Sequence, residues 1–148
     1  MASIADLWKA LGSISKLRFD ANTESQTGWN GHGTGVVNVR APDPMILVFE
    51  EVGTWRAEGG SELTFRNTFR WTNLGESLRL EHLRFGPTNP VHLFDMEPTS
   101  DGTWREHAGH VCREDCYTAT LSLQRGHLSL AWRINGSKKN ESIQYTYS

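Results

Sequence analysis

A two-residue periodicity recurs in segment after segment of the chain, and no other feature limits its folding as much. In "LTFRNTFRWT", Leu63, Phe65, Phe69 and Trp71 share one phase, while Thr64, Arg66, Thr68, Arg70 and Thr72 hold the other. "YTATLSLQ" sets Tyr117, Ala119, Leu121 and Leu123 against Thr118, Thr120, Ser122 and Gln124. "HLSLAWRI" sets Leu128, Leu130, Trp132 and Ile134 against Ser129, Ala131 and Arg133, and at the end Ile143, Tyr145 and Tyr147 oppose Gln144, Thr146 and Ser148. Successive side chains of a strand point to opposite faces, so this pattern predicts strands with one buried and one wet face, paired antiparallel.

Further strands are expected over residues 33–40, 45–52, 77–86, 91–96 and 103–112. Turn signals punctuate them at Pro42–Pro44, Gly59–Gly60, Asn73–Gly75, Gly86–Pro87, Ser100–Gly102, Gln124–Gly126 and Asn135–Gly136. The total is about eight to ten strands in hairpin order, without crossover helices. One helix precedes them: Ile4, Leu7, Trp8 and Leu11 fall at helical spacing, Ser3 can cap the start, and Gly12 can end it. A helix of about three turns is marginal alone and must lie on something. A meander this long has to manage its edges, by closing into a barrel or by stacking as a sandwich. The short connections favour an all-β, antiparallel, up-and-down barrel of 8–10 strands with the N-terminal helix over one mouth, residues 1–148 forming a single domain.

Charge excludes one function class. Fifteen Lys and Arg against seventeen Asp and Glu give a formal charge of −2, which is not the basic footprint of a nucleic-acid binder. The N-terminus lacks the basic and apolar regions of a signal peptide, and no run approaches the ~20 apolar residues of a membrane span. The expectation is a cytoplasmic protein, monomeric or homodimeric, with neither nucleic acid nor membrane as partner.

The densest chemistry lies in "HAGHVCREDCYTA", residues 107–119. Four residues of extended chain separate Cys112 from Cys116 by about 13 Å, beyond the ~7 Å limit for a disulfide, and a cytoplasmic setting also disfavours one. His107, His110, Cys112 and Cys116 are zinc-ligand types, but their spacing fits no common structural site and strand alternation splits them between faces. His82 or His92 would have to be borrowed from neighbouring strands. Asp115, by contrast, is in phase with Tyr117, Ala119, Leu121 and Leu123, so Asp115 and Tyr117 are expected to point into the barrel. A carboxylate turned inward needs a partner.

Phase nominates other cavity residues. Leu78, Leu80, His82 and Arg84 form one series, and the change of apolar face between Leu80 and Leu83 suggests a bulge. His92 is in phase with Phe94 and Met96. Six tryptophans, Trp132 among them, supply ring surface for packing or for a ligand. "GWNGHGTG" at 28–35 is no dinucleotide fingerprint, because no helix follows it; it is expected to form a flexible entry into a strand. No nucleophile motif such as G-x-S-x-G is present.

The C-terminal half resembles an uncharacterised family, domain-of-unknown-function family 6314. The resemblance rests on H-x-C-x-x-D-x-Y at His110, Cys112, Asp115 and Tyr117, a following strand with Trp132, a G-x-x-K step at Gly136 and Lys139 beside Lys138, and a strand with Tyr145 and Tyr147. Ser137 stands where the family usually has proline. The resemblance implies a barrel similar to the calycins, the lipocalins and fatty-acid-binding proteins, and implies no activity.

These readings converge on a lipocalin-like barrel that binds a small amphipathic or anionic molecule. The candidate ligand-binding residues are His82, Arg84, His92, His110, Asp115, Tyr117, Trp132 and Lys138. Two alternatives remain open: a small enzyme of the isomerase, lyase or hydrolase type using Asp115, His110 and Tyr117 in acid–base roles, and a metal- or haem-binding barrel. A bare interaction module would have no cavity.

Overall fold

The computed structural model describes residues 3–23, 30–106, 115–136 and 140–148, with residues 115–117 described as backbone only. Helix α1 (Ile4–Ser13) leads into ten strands: β1 (Lys16–Thr23), β2 (Gly31–Asp43), β3 (Ile46–Ala57), β4 (Glu62–Asn73), β5 (Leu78–His82), β6 (Val91–Pro98), β7 (Trp104–Glu106), β8 (Asp115–Gln124), β9 (His127–Gly136) and β10 (Asn140–Tyr147). Each strand pairs antiparallel with its sequence neighbour, and β1 pairs with β10, so the sheet closes on itself. Closure removes the sandwich alternative, since each described strand is paired on both sides.

Alternation sets the inside. Leu17, Leu47, Phe49, Phe69, Trp71, Leu78, Leu80, Phe94, Met96, Trp104, Ala119, Leu121, Leu128, Leu130, Tyr145 and Tyr147 join one buried cluster. The outward phase carries polar pairs between neighbouring strands: Arg40 with Glu50, Arg70 with Glu81, and Arg79 with Asp95.

Leu7 and Leu11 of the helix and Ile14 just past it belong to the same buried cluster, so α1 plugs one end of the barrel. A capping box holds its start, with the Asp6 amide donating to Ser3 Oγ and the Ser3 amide to the Asp6 carboxylate. The Trp8 indole N–H donates to the Pro44 carbonyl at 3.1 Å, tying the helix to the turn between β2 and β3. Gly12 does not end the helix, which runs through Ser13 to the extended Ile14.

Several boundaries differ from the sequence reading. β1 was not among the expected strands: "KLRFDANT" alternates, but its buried phase holds only Leu17 and Phe19 as large apolar residues. β5 stops at His82 rather than running to 86, and the chain turns at Arg84 and Phe85. β2 starts at Gly31, two residues before the expected 33, and Gly31, Gly33 and Gly35 all pair with both β1 and β3. That stretch is sheet interior, not an entry loop. A Cβ on Gly33 would meet the Phe19 ring 2.5 Å from Cζ, and one on Gly35 would lie 3.1 Å from Phe65 Cζ. The rings of Phe19 and Phe65 cover these glycines from the inside, in edge contact at 5.4 Å.

The β8–β9 hairpin turns through Arg125 and Gly126 with φ of 47° and 82°. Two positive φ values are the signature of a type I′ turn, whose twist matches the strands it joins. Arg125 is the only non-glycine with positive φ among the described residues. Arg125→Asn should therefore raise stability by about 0.5–1 kcal/mol, read as a shifted urea midpoint, because Asn tolerates this region better.

Candidate functional site

The barrel interior has two unlike halves. On the helix side, Leu17, Leu47, Trp71, Leu78, Met96, Trp104, Leu128 and Tyr147 are all buried, and the space is filled. On the far side, the inward-phase residues Phe19, Ala21, Trp55, Phe65, His82, Val91, Trp132 and Ile143 are only half-buried. One end is thus a packed plug, and toward the other the described inward residues form a half-buried bowl. Its rim is set by the strand ends at Thr23, Gly31, Ala57, Glu62, His82, Val91, Glu106 and Asn140.

Ring contacts run from bowl to floor. His82 stacks on Phe69 at 4.7 Å, and Phe69 and Phe94 meet Trp132 edge-on at 6.3 and 5.4 Å. Trp132 lies 5.9 Å from Tyr145, which stacks on Tyr147 at 5.8 Å. At the floor stands Glu51, with 0% of its surface exposed. It shares its phase with Leu47 and Phe49 on β3, whereas its neighbour Glu50 faces out to Arg40. The Tyr147 hydroxyl donates to Glu51 Oε2 at 2.7 Å, a bond across 96 residues of sequence. Glu51 Oε1 is buried without a hydrogen-bond partner, as are the indole nitrogens of Trp71 and Trp132. Native structures leave few such atoms orphaned, and each calls for an explanation.

Burial pushes the Glu51 carboxyl up to about 7, against the opposing pull of the Tyr147 hydrogen bond. Burial, then the nearby Glu51 charge, raises both Tyr145 and Tyr147 well above the ordinary phenol value. Burial also lowers His82, helped by the Arg84 charge, which favours the uncharged imidazole. A second inward carboxylate, Glu106, accepts the Ala119 amide at 2.7 Å, where the β7–β8 ladder runs out.

The nominated residues separate accordingly. His82 and Trp132 line the bowl. Arg84 does not follow them inward: with β5 ended, it is exposed in the turn with its guanidinium 4.9 Å over the Phe85 ring. His92 lies on the outer face, its Nε2 3.2 Å from Asp95. A bulge is the reason. Leu80 pairs with Phe94 but Glu81 with His92, so Leu93 is the extra residue and the phase of β6 flips there. The expected bulge thus exists, with its extra residue on the partner strand. It pairs His92 with outward-facing Glu81 and takes it out of phase with Phe94. Asp115 and Tyr117 open β8 opposite Gly136 and Ile134, and their side chains lie outside the described residues, as do His110 and Lys138. Among the described residues no group of three His, Cys, Asp or Glu could hold a metal. Glu51 was missed by the sequence reading. Its signal was available, since it continues the Leu47–Phe49 phase inward.

Fold and interior together define a small closed antiparallel barrel, plugged by a helix at one end and lined toward the other by half-buried aromatic residues. The chain belongs to a family of unknown function, DUF6314, whose model matches residues 15–148. No curated protein matches it. Among solved structures it is similar to EF1p2_mFAP2b bound to DFHBI, at 8% identity and a TM-score of 0.49 over 99% of this chain and 98% of the other. It is also similar to a de novo designed fluorescence-activating β-barrel, at 14% identity and a TM-score of 0.41 over 93% and 94%. None of the described helices is long and apolar enough to cross a membrane.

Proposed function

We propose that this protein is a single-domain, lipocalin-like carrier or receptor that takes one small, largely apolar molecule into the helix-distal bowl. The observation that carries the reading is the half-burial of a whole inward ring set, Phe19, Trp55, Phe65, His82 and Trp132, above a floor that is fully packed. Inward rings left partly wet in a barrel closed at one end form a concave apolar surface, the usual form of a ligand site. A cytoplasmic setting and the absence of membrane or nucleic-acid partners remain part of this proposal, supported by the charged outer face. The acid–base alternative rested on His110, Asp115 and Tyr117, whose side chains lie outside the described residues.

The neutral, polarity-sensitive dye prodan tests the reading. It should bind with one-to-one stoichiometry and a blue-shifted emission. Ala21 faces the bowl between Ile143 and Gly31, so Ala21→Trp should fill the space and abolish binding while far-ultraviolet circular dichroism stays unchanged. Dye binding that survives in a folded Ala21→Trp variant, or no binding at all by the wild type, would overturn the proposal.

A further inference from the structure

We infer that Glu51 is a proton-operated latch on the helix plug. Its neutral carboxyl keeps the end of β10 seated and α1 docked, and loss of the proton lets α1 lift from the barrel end while the strands stay paired. Such a device operates whether or not the bowl takes a ligand.

Three observations support it. First, Glu51 is fully buried on β3, and its Oε2 accepts the Tyr147 hydroxyl at 2.7 Å. The phenols of Tyr145 and Tyr147 on β10 both feel its charge, and its register neighbours are Val37 on β2 and Asn67 on β4. The charged residues nearest along these strands, Glu50 on β3, Arg66 on β4 and Lys16 and Arg18 on β1, hold the outward phase, and Lys9 of α1 is exposed. Farther round the interior, His82 on β5 stacks on Phe69 and Glu106 on β7 accepts the Ala119 amide.

Second, Tyr147 is coupled to the root of the helix. The next residue, Ser148, accepts the Ser15 and Lys16 amides at 2.8 and 3.0 Å and donates its own amide to the Lys16 carbonyl at 3.0 Å. Third, α1 is held less firmly than the strands. It is fixed by the burial of Leu7 and Leu11 and by the Trp8 indole bond to Pro44, whereas each described strand is paired on both sides. Elements outside the ladders open at lower free energy than core strands. A carboxylate buried in the floor is costly, and lifting α1 lets water reach it while the ladders stay intact. Burial holds the Glu51 proton up to about 7, against 4.5 for the ordinary group. Docking therefore weakens as pH rises from the lower value, and the weakening is complete above the higher one.

Amide hydrogen exchange of the intact chain at pH 6 and pH 8, in urea too dilute to unfold it, tests the inference. After correction for intrinsic rates, the opening constant of the α1 amides should rise about tenfold between the two pH values. That opening exposes little surface, so it should respond weakly to urea, while amides of β3 and β9 should follow the steep slope of global unfolding. In Glu51→Gln the tenfold rise should vanish; His82 is intact in this variant, which separates its titration from that of Glu51. In Tyr147→Phe the hydrogen bond that lowers the Glu51 value is gone, so the rise should move to higher pH. An α1 opening that ignores pH, or one that carries the urea slope of the core strands at both pH values, would overturn the inference. So would a rise that survives Glu51→Gln or stays unmoved in Tyr147→Phe.

Discussion

Glu51→Gln should flatten the pH dependence of stability and make the protein more stable in mild alkali. In the fold this carboxyl titrates at about 7, against 4.5 for the ordinary group. Below pH ~4.5 both folded and unfolded chains carry the proton, and Glu51 contributes no slope. From there to about 7 only the folded state keeps it, so stability falls as pH rises. Above 7 both states are ionised and the loss is complete. A shift of this size corresponds to about 3 kcal/mol between the two plateaus. Glutamine removes the ionisation and retains an oxygen for the Tyr147 hydroxyl, so a gain of about 2–3 kcal/mol is expected at pH 8 and little change at pH 4.5. Urea denaturation across this range measures it. An unchanged slope in the variant would show that Glu51 ionises freely in the fold. Asp95 works in the opposite direction: hydrogen bonds from Arg79 and His92 hold its carboxyl low, so its contribution is lost on acidification.

The second large effect concerns a glycine with an ordinary backbone. Gly53→Ala should lower stability by about 3 kcal/mol, the upper range for overpacking a filled site. A Cβ there would collide with the Thr34 carbonyl oxygen and lie 2.6 Å from the Gly35 Cα and 2.8 Å from the Phe65 ring. Two of these three obstacles are backbone in the paired strand, which cannot rotate away. Gly12→Ala supplies the contrast: it lies in the last turn of the helix with nothing within 4 Å of a built Cβ. Alanine there should raise stability by about 0.5–1 kcal/mol. Both are read from urea midpoints of the intact chain. If the two substitutions moved stability alike, close strand approach would not be what keeps Gly53 a glycine.

The fold was legible because the buried phase is carried by large apolar residues in most strands. Leu63 to Trp71, Ala119 to Leu123 and Leu128 to Ile134 occupy the phases their alternation predicts, with Leu63 half-exposed at the rim. Legibility failed where an inward position holds something other than a hydrophobe. Gly33 and Gly35 line the wall but leave their volume to rings from β1 and β4, so "GWNGHGTG" reads as a loop when taken alone. Glu51 is a charged residue type in a core position, and only the phase of Leu47 and Phe49 marks it as inward. His92 was misplaced because one extra residue, Leu93, inverts the phase; a bulge can be suspected from sequence, but its strand cannot be chosen without the pairing partner. The cluster around His110 drew attention through its residue types. Its side chains lie outside the described residues, and the described interior holds polar atoms at Glu51, Tyr147 and Trp132.

The seam between β1 and β10 also has a consequence for how the chain reaches this state. Leu17 is register partner to Tyr147 and Thr23 to Glu141, so the first strand of the barrel is completed by its last. Hairpins from β2 to β9 can zip locally as they emerge, but β1 keeps an unpaired edge until β10 arrives. Contacts between such distant parts of a chain require a large loop to close first, and they set a slow pace. The helix plug and the Glu51–Tyr147 bond wait on the same event, since both depend on a closed ring. The barrel therefore keeps an open sheet edge until its tenth strand is in place.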